Sequence, residues 1–372
     1  MDAEVKKLID QATNESMRGA VQSRETIVKL LELDPQSEEV SYLKECAVKV
    51  ARKATKGRGV LSGAIGVDLC SCDMNCKFCS FGTEWGLVHV EKKYTEDEII
   101  ELAKAYVNAG VTTLTLRSTE FYDMNVLAEW LKDIRAAAPG DYSINLNVGE
   151  MSPAMAEAAY QAGATNAYHV KRLREGVDTP FNPKVRERTM RAITDSPLRF
   201  GTCLEPIGIE HTNEELADKI VSDMSFRPYG YGVMFRVNVP GTPFEGYEDI
   251  SKERKLQILA VTRIAVGTQI RSMGMHPAMP ESLYAGGNSF TLELGANPRD
   301  TEFNETEWRG FSAEEAKKIL ADAGFPLHII NPDPRFKDGA DTWWKPGDFS
   351  HYEMPDPTEG AGAGCCCGTH TR

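Results

Sequence analysis

The stretch Leu61-Ser62-Gly63-Ala64-Ile65-Gly66-Val67-Asp68-Leu69-Cys70-Ser71-Cys72-Asp73-Met74-Asn75-Cys76-Lys77-Phe78-Cys79 decides the fold. Its first nine residues, Leu61–Leu69, read as a β-strand, and three cysteines follow at once. Downstream, β-rich runs alternate with amphipathic helices. The runs are Thr112–Leu116, Ser143–Val148, Asn166–Val170, Arg199–Cys203, Val233–Val239, Thr268–Arg271 and Phe290–Leu294. Helix starts are marked by capping-box spacing at Thr95/Glu98, Thr212/Glu215 and Ser312/Glu315, and by Ser152 before Pro153. Ala109-Gly110, Ala162-Gly163 and Ala323-Gly324 end helices before extended runs. Eight strands alternating with helices imply parallel pairing, so the expected class is α/β, a (β/α)8 TIM-type barrel over residues 58–330. Residues 1–57 read as a helical extension, and residues 331–372 as an irregular tail carrying Cys365, Cys366 and Cys367.

Composition bounds what such a chain does. With 41% hydrophobic and 26% charged residues, the 372-residue chain reads as an ordinary globular protein. A formal net charge of −13 argues against general affinity for nucleic acid or anionic membrane. No apolar run reaches the roughly 18 residues of a membrane span, and the N-terminus lacks a signal pattern, so a cytoplasmic location is expected. Nine cysteines in that compartment are poor candidates for disulfides. Six of them fall in two tight groups, 72/76/79 and 365–367, which favours metal.

The first group carries the chemistry. Three thiolates hold three irons of a cubane and leave the fourth without a protein ligand. The amine and carboxylate of S-adenosylmethionine (SAM) chelate that open iron, and an electron passed into the sulfonium releases a 5′-deoxyadenosyl radical. The trio follows the first strand, on the face where barrels of this class keep their active sites. Phe78 is placed to cover the cluster. A zinc site, or three unrelated core cysteines, is the competing reading; zinc would require a fourth ligand at close spacing, and none is present nearby. Cys46 and Cys70 read as core.

The run Cys72 to Cys79 resembles the signature of the radical SAM superfamily, and residues from about Gly57 to Phe325 resemble its biotin synthase-like branch. That branch includes biotin synthase, biotin-synthase-like lipoyl synthases, the related hydrogenase maturase and methylornithine synthase. The resemblance implies SAM contacts: Thr119 and Glu120 at the amino group, Asn147 and Glu150 at the ribose, Arg188 at the carboxylate, and Ile207 beneath the adenine. Arg186 and Arg191 read as solvated charges.

The departures matter too. By the same resemblance, a second cluster of biotin synthase would meet Thr115, Asn145, Cys203 and His276, of which only Cys203 is a cysteine. Cys365, Cys366 and Cys367, or two of them with a barrel ligand, are the expected replacements, holding an auxiliary [4Fe-4S] cluster that donates sulfur, with Cys203, His276 or His370 completing its shell. His169, with Lys171, Arg172 and Arg174, forms a basic group expected to hold an acidic substrate or carrier. The leading expectation is therefore sulfur insertion into an aliphatic carbon of a small-molecule or carrier-protein-bound acyl substrate, fed by ferredoxin or flavodoxin. The alternative is a single-cluster mutase or cofactor maturase.

Overall fold

In the computed structural model, which describes residues 1–305 and 310–327, the expected alternation becomes eight parallel strands. They are β1 (Val60–Gly66), β2 (Thr113–Arg117), β3 (Ser143–Asn147), β4 (Asn166–Tyr168), β5 (Arg199–Ile207), β6 (Gly230–Phe235), β7 (Met275–His276) and β8 (Ser289–Gly295). Their spatial order is β8-β1-β2-β3-β4-β5-β6-β7. A single bridge between Gly274 and Ser289 brings the two ends of the sheet together. The barrel is nearly closed.

Ten helices accompany the strands among the described residues. Three precede the barrel: α1 (Ala3–Met17), α2 (Arg24–Leu31) and α3 (Glu38–Thr55). Then come α4 (Glu96–Asn108), α5 (Met124–Ala137), α6 (Pro153–Ala162), α7 (Pro183–Thr194), α8 (Asn213–Met224), α9 (Lys252–Val266) and α10 (Ala313–Asp322). All three capping boxes form, at the starts of α4, α8 and α10, and Ser152 caps α6. Gly110 leaves α4 at φ +83°, a conformation that residues with a Cβ avoid. The three leading helices pack on α9 and the outer faces of β5 and β6, so α9 is buried continuously from Leu256 to Val266. No described helix is long and apolar enough to cross a membrane.

The strand expectations need three corrections. Thr268–Arg271 is no strand: Gly267–Gln269 forms a 3-10 turn, and the seventh strand is Met275–His276, paired with Val233 and Met234. Val233–Val239 is displaced: its strand starts at Gly230, and Gly230 and Gly232 weaken the local signal while fitting the barrel's inner face. The first strand stops at Gly66; Asp68–Leu69 instead pairs antiparallel with Lys92–Lys93. Cys365, Cys366, Cys367 and His370 lie outside the described residues.

Side chains alternate along each strand, as the pleat requires. Leu114 and Leu116 on β2, Ile144 and Leu146 on β3, and Leu292 and Leu294 on β8 point outward into an apolar core under the helices. Their neighbours Thr113, Thr115, Ser143, Asn145 and Thr291 line the barrel interior. Small and polar residues there leave the barrel hollow, whereas many barrels fill the same space with branched apolar side chains.

Candidate active site

Cys72, Cys76 and Cys79 line one cavity of about 410 Å³ that opens past the C-terminal ends of the strands. Their loop folds back on itself through Cys72 N–H donating to Phe81 O (2.7 Å) and Cys79 N–H donating to Cys76 O (2.9 Å). Asn75 turns the chain at φ +43°, and its side chain accepts from Glu84 N–H at 3.0 Å. Asparagine tolerates this left-handed geometry better than most residues. Two further bonds fix the loop across the barrel mouth: Ser80 N–H to Pro298 O after β8, and Lys77 N–H to Asp178 O after β4. Phe78 lines the cavity beside the trio, in an apolar group with Met74, Cys76 and Phe181.

The donor set fits a cubane. None of the three cysteines is in a disulfide, and burial pushes Cys76 well up and Cys79 up to about 12, so thiolates there require a positive centre. A single tetrahedral zinc gathers its sulfurs to within about 4 Å of one another. Among the described residues the only group of three or more Cys, His, Asp or Glu ligand atoms all within 4.8 Å of one another is Asp178, Glu210 and His211, so at least one pair of the three sulfurs is more widely spaced. In a cubane each thiolate binds its own iron, which matches that spacing.

Beside the cysteines sits a charged cradle whose arginine the sequence reading had placed two residues further along α7. Arg186, expected as a solvated charge, is 2% exposed and lines the cavity. Its guanidinium meets Glu150 at 2.8 Å, Glu120 at 3.2 Å and Glu175 at 3.9 Å, lies 3.3 Å from His169 Nε2, and stacks 3.5 Å above the Phe181 ring. Arg186 thus meets three carboxylates, of which it shares Glu175 with Arg172 at 3.7 Å. Burial pushes Glu120 up to about 7, against the pull of Arg186. Burial also works to raise Glu150, but His169, Arg186 and Thr189 outweigh it and hold that carboxyl at about 2. His169 is lowered by burial, which Glu150 only partly offsets.

The other expected residues divide. Thr119, Glu120, Asn147, His169, Cys203 and His276 all line the cavity. Thr119 is anchored there by its N–H and hydroxyl, both donating to the buried carboxylate of Asp68. Glu150 lies just behind the lining, occupied by Arg186, His169 and Thr189. Arg188 is on α7 but outside the lining, and Ile207 packs into the apolar core beneath α8 and α9. The expected basic group is neutralised: Lys171 pairs with Glu187 at 2.5 Å and Arg174 with Glu215 at 2.7 Å. Only Arg172 of those three faces the cavity, 3.7 Å from both Glu175 and Glu205.

Deeper in the barrel, Thr115, Asn145, Cys203 and His276 do surround one space. Asn145 Nδ2 donates to Thr115 Oγ1 at 3.3 Å, and burial raises the Cys203 thiol well above its ordinary range. Sequence reading missed Glu205, which accepts from the Tyr168 hydroxyl at 2.6 Å, and Arg117 on β2 and Glu293 on β8, which meet Arg299 of the segment after β8, placed on this face from the sequence but given no role. Their signal was present: a charged residue at an inward strand position has no solvent to face.

No protein-family model matches the chain. Biotin synthase of Alkalilimnicola ehrlichii is 24% identical over 238 residues, covering 61% of this chain and 67% of that one. Biotin synthase of Rickettsia felis is 22% identical over 223 residues, covering 55% and 69%. Among solved structures, methylornithine synthase superposes with a TM-score of 0.72 at 19% identity, over 85% of this chain and 97% of that one. The FeFe-hydrogenase maturase of Carboxydothermus hydrogenoformans gives 0.66 at 18%, over 88% and 80%. At such identities the solved structures show the barrel alone, and in sequence the chain resembles biotin synthases.

Proposed function

We propose that this chain binds a [4Fe-4S] cluster on Cys72, Cys76 and Cys79 and SAM beside it, and removes hydrogen from an unactivated carbon of a small molecule held in the barrel. The observation that carries this reading is the meeting of three closely spaced cysteines and the Arg186 cradle in one cavity. When bound, the cluster and SAM together supply homolytic hydrogen abstraction, and the protein supplies position and shielding. Glu120, a largely buried carboxylate lining the cavity that burial pushes up to about 7, is suited to receive the SAM ammonium. Arg186, rather than Arg188, is the guanidinium within reach of that space. Phe78 and Phe181 keep water from the cysteine loop. A low-potential donor such as ferredoxin or flavodoxin completes the system.

Two fates for the substrate radical remain distinct. Sulfur insertion of the biotin or lipoyl synthase kind requires a second cluster, held by Cys365–Cys367 with Cys203. A single-cluster rearrangement or maturation reaction requires none, and the polar inner wall favours it: Thr115, Asn145 and His276 stand beside Cys203. Anaerobic reconstitution followed by iron and sulfide analysis separates the two, with about four irons per chain for one cluster and about eight for two. Dithionite and SAM should then yield 5′-deoxyadenosine from the parent chain. Yield no greater than in a Cys76→Ala control overturns the enzyme reading.

A further inference from the structure

On the β8–β1–β2 wall of the same cavity, the balance of charge is reversed. Glu293, 5% exposed, is the only carboxylate bonded to two guanidiniums there. Arg117 Nη1 donates to its Oε1 at 2.8 Å, Asn297 Nδ2 donates to the same oxygen at 2.9 Å, and Arg299 Nη2 donates to Oε2. The second arm of Arg117 donates to Ala296 O at 2.6 Å. Both arginines line the cavity, with side chains 16% and 19% exposed. His276 lines it too, on the neighbouring β7, and no described residue hydrogen-bonds its ring.

Glu293 therefore holds two planar forks in place and is itself saturated. Its two oxygens take three charged or amide donors, and Arg117, Arg299 and His276 outweigh the burial that would raise it. Among the described residues, Glu293 is the one carboxylate paired with either guanidinium, so the pair carries one surplus positive charge in a largely desolvated wall. Such a surplus is costly unless a ligand supplies the anion. Two guanidiniums at fixed separation offer the bidentate geometry that suits a carboxylate.

We infer that Arg117 and Arg299, templated by Glu293, form a subsite for the free carboxylate of the substrate, which is a small carboxylic acid rather than an acyl group esterified or amidated to a carrier. The inference rests on the reading of the cavity as a substrate chamber. An alternative source of the same chemistry is SAM's own carboxylate, and the test separates them.

The full chain with its reconstituted cluster, without SAM, is titrated by calorimetry or saturation-transfer NMR with hexanoate and with hexanamide, which differ in charge and hardly in shape. Hexanoate should bind at least tenfold more tightly than hexanamide. Arg299→Gln should weaken hexanoate at least tenfold, and Arg299→Lys should recover part of the loss, while near-ultraviolet circular dichroism confirms the fold of each variant. Equal binding of acid and amide, or unchanged hexanoate affinity in Arg299→Gln, overturns the subsite. So does a tenfold loss of SAM affinity in Arg299→Gln with hexanoate unaffected, which would hand the site to SAM. Failure of the parent chain to form 5′-deoxyadenosine would instead sink the enzyme reading and leave the hexanoate result standing.

Discussion

Two groups of charge lie on adjoining walls of this barrel, and they are unbalanced in opposite directions. In the cradle after β2–β4, Arg186 meets three carboxylates, Glu120, Glu150 and Glu175, the last shared with Arg172. On the adjoining β8–β1–β2 wall one carboxylate, Glu293, holds two guanidiniums, Arg117 and Arg299. Buried charge groups built only for stability gain from neutrality. Two complementary imbalances in one cavity instead describe a container for polar ligands, cationic at one end and anionic at the other.

The comparison breaks most easily at Arg186. Arg186→Gln leaves three buried carboxylates without the guanidinium they share and should cost about 3–5 kcal/mol in denaturant unfolding. Adding Glu120→Gln should recover part of that loss; an unchanged midpoint in the single variant would mean that the cradle is solvated.

Proton linkage should be the next largest effect. Glu120 is raised to about 7 from an ordinary 4.5, so the folded chain binds more protons than the unfolded one between those values. Its contribution to stability is present below about pH 4.5 and is lost as pH rises towards 7. The loss is on the order of 2–3 kcal/mol, and unfolding curves of Glu120→Gln should lack it. Saturating SAM should release protons near pH 6.5, measurable by calorimetry in buffers of different ionisation enthalpy.

Glu293→Gln sharpens the other side. It leaves Arg117 and Arg299 facing each other with only an amide between them, at a cost of about 1–3 kcal/mol, smaller because both side chains reach the cavity. Added chloride or a carboxylate should restore part of the stability. Thr115→Ala removes only a 3.3 Å hydrogen bond from Asn145 and should cost about 0.5–1 kcal/mol. A loss several times larger would make the inner wall structural rather than a chamber.

The barrel was readable from the repeat of strand and capped helix because those signals are local. A serine or threonine three residues before a glutamate stabilises a helix start whatever surrounds it, and the boxes at Thr95, Thr212 and Ser312 all form. The seventh strand was not readable: two residues long, it exists because Val233 and Met234 present their backbone to Met275 and His276. The cysteine trio was legible because its three ligands lie within eight residues. The cradle was only half legible, since Glu120, Glu150, His169 and Arg186 come from four separated segments. On α7 a two-residue step turns a side chain to another face, which separates buried Arg186 from Arg188 outside the cavity lining.

Sequence alone determined seven of the eight strands, the capped helices between them and the cysteine loop, because each is set by neighbours within about one turn or one strand. Only the closed barrel decided which charges meet. Arg117 and Glu293 are 176 residues apart, yet bond because β1 lies between β2 and β8. Coulomb energy depends on distance in space and on burial, and neither is written in the spacing of residues along a chain.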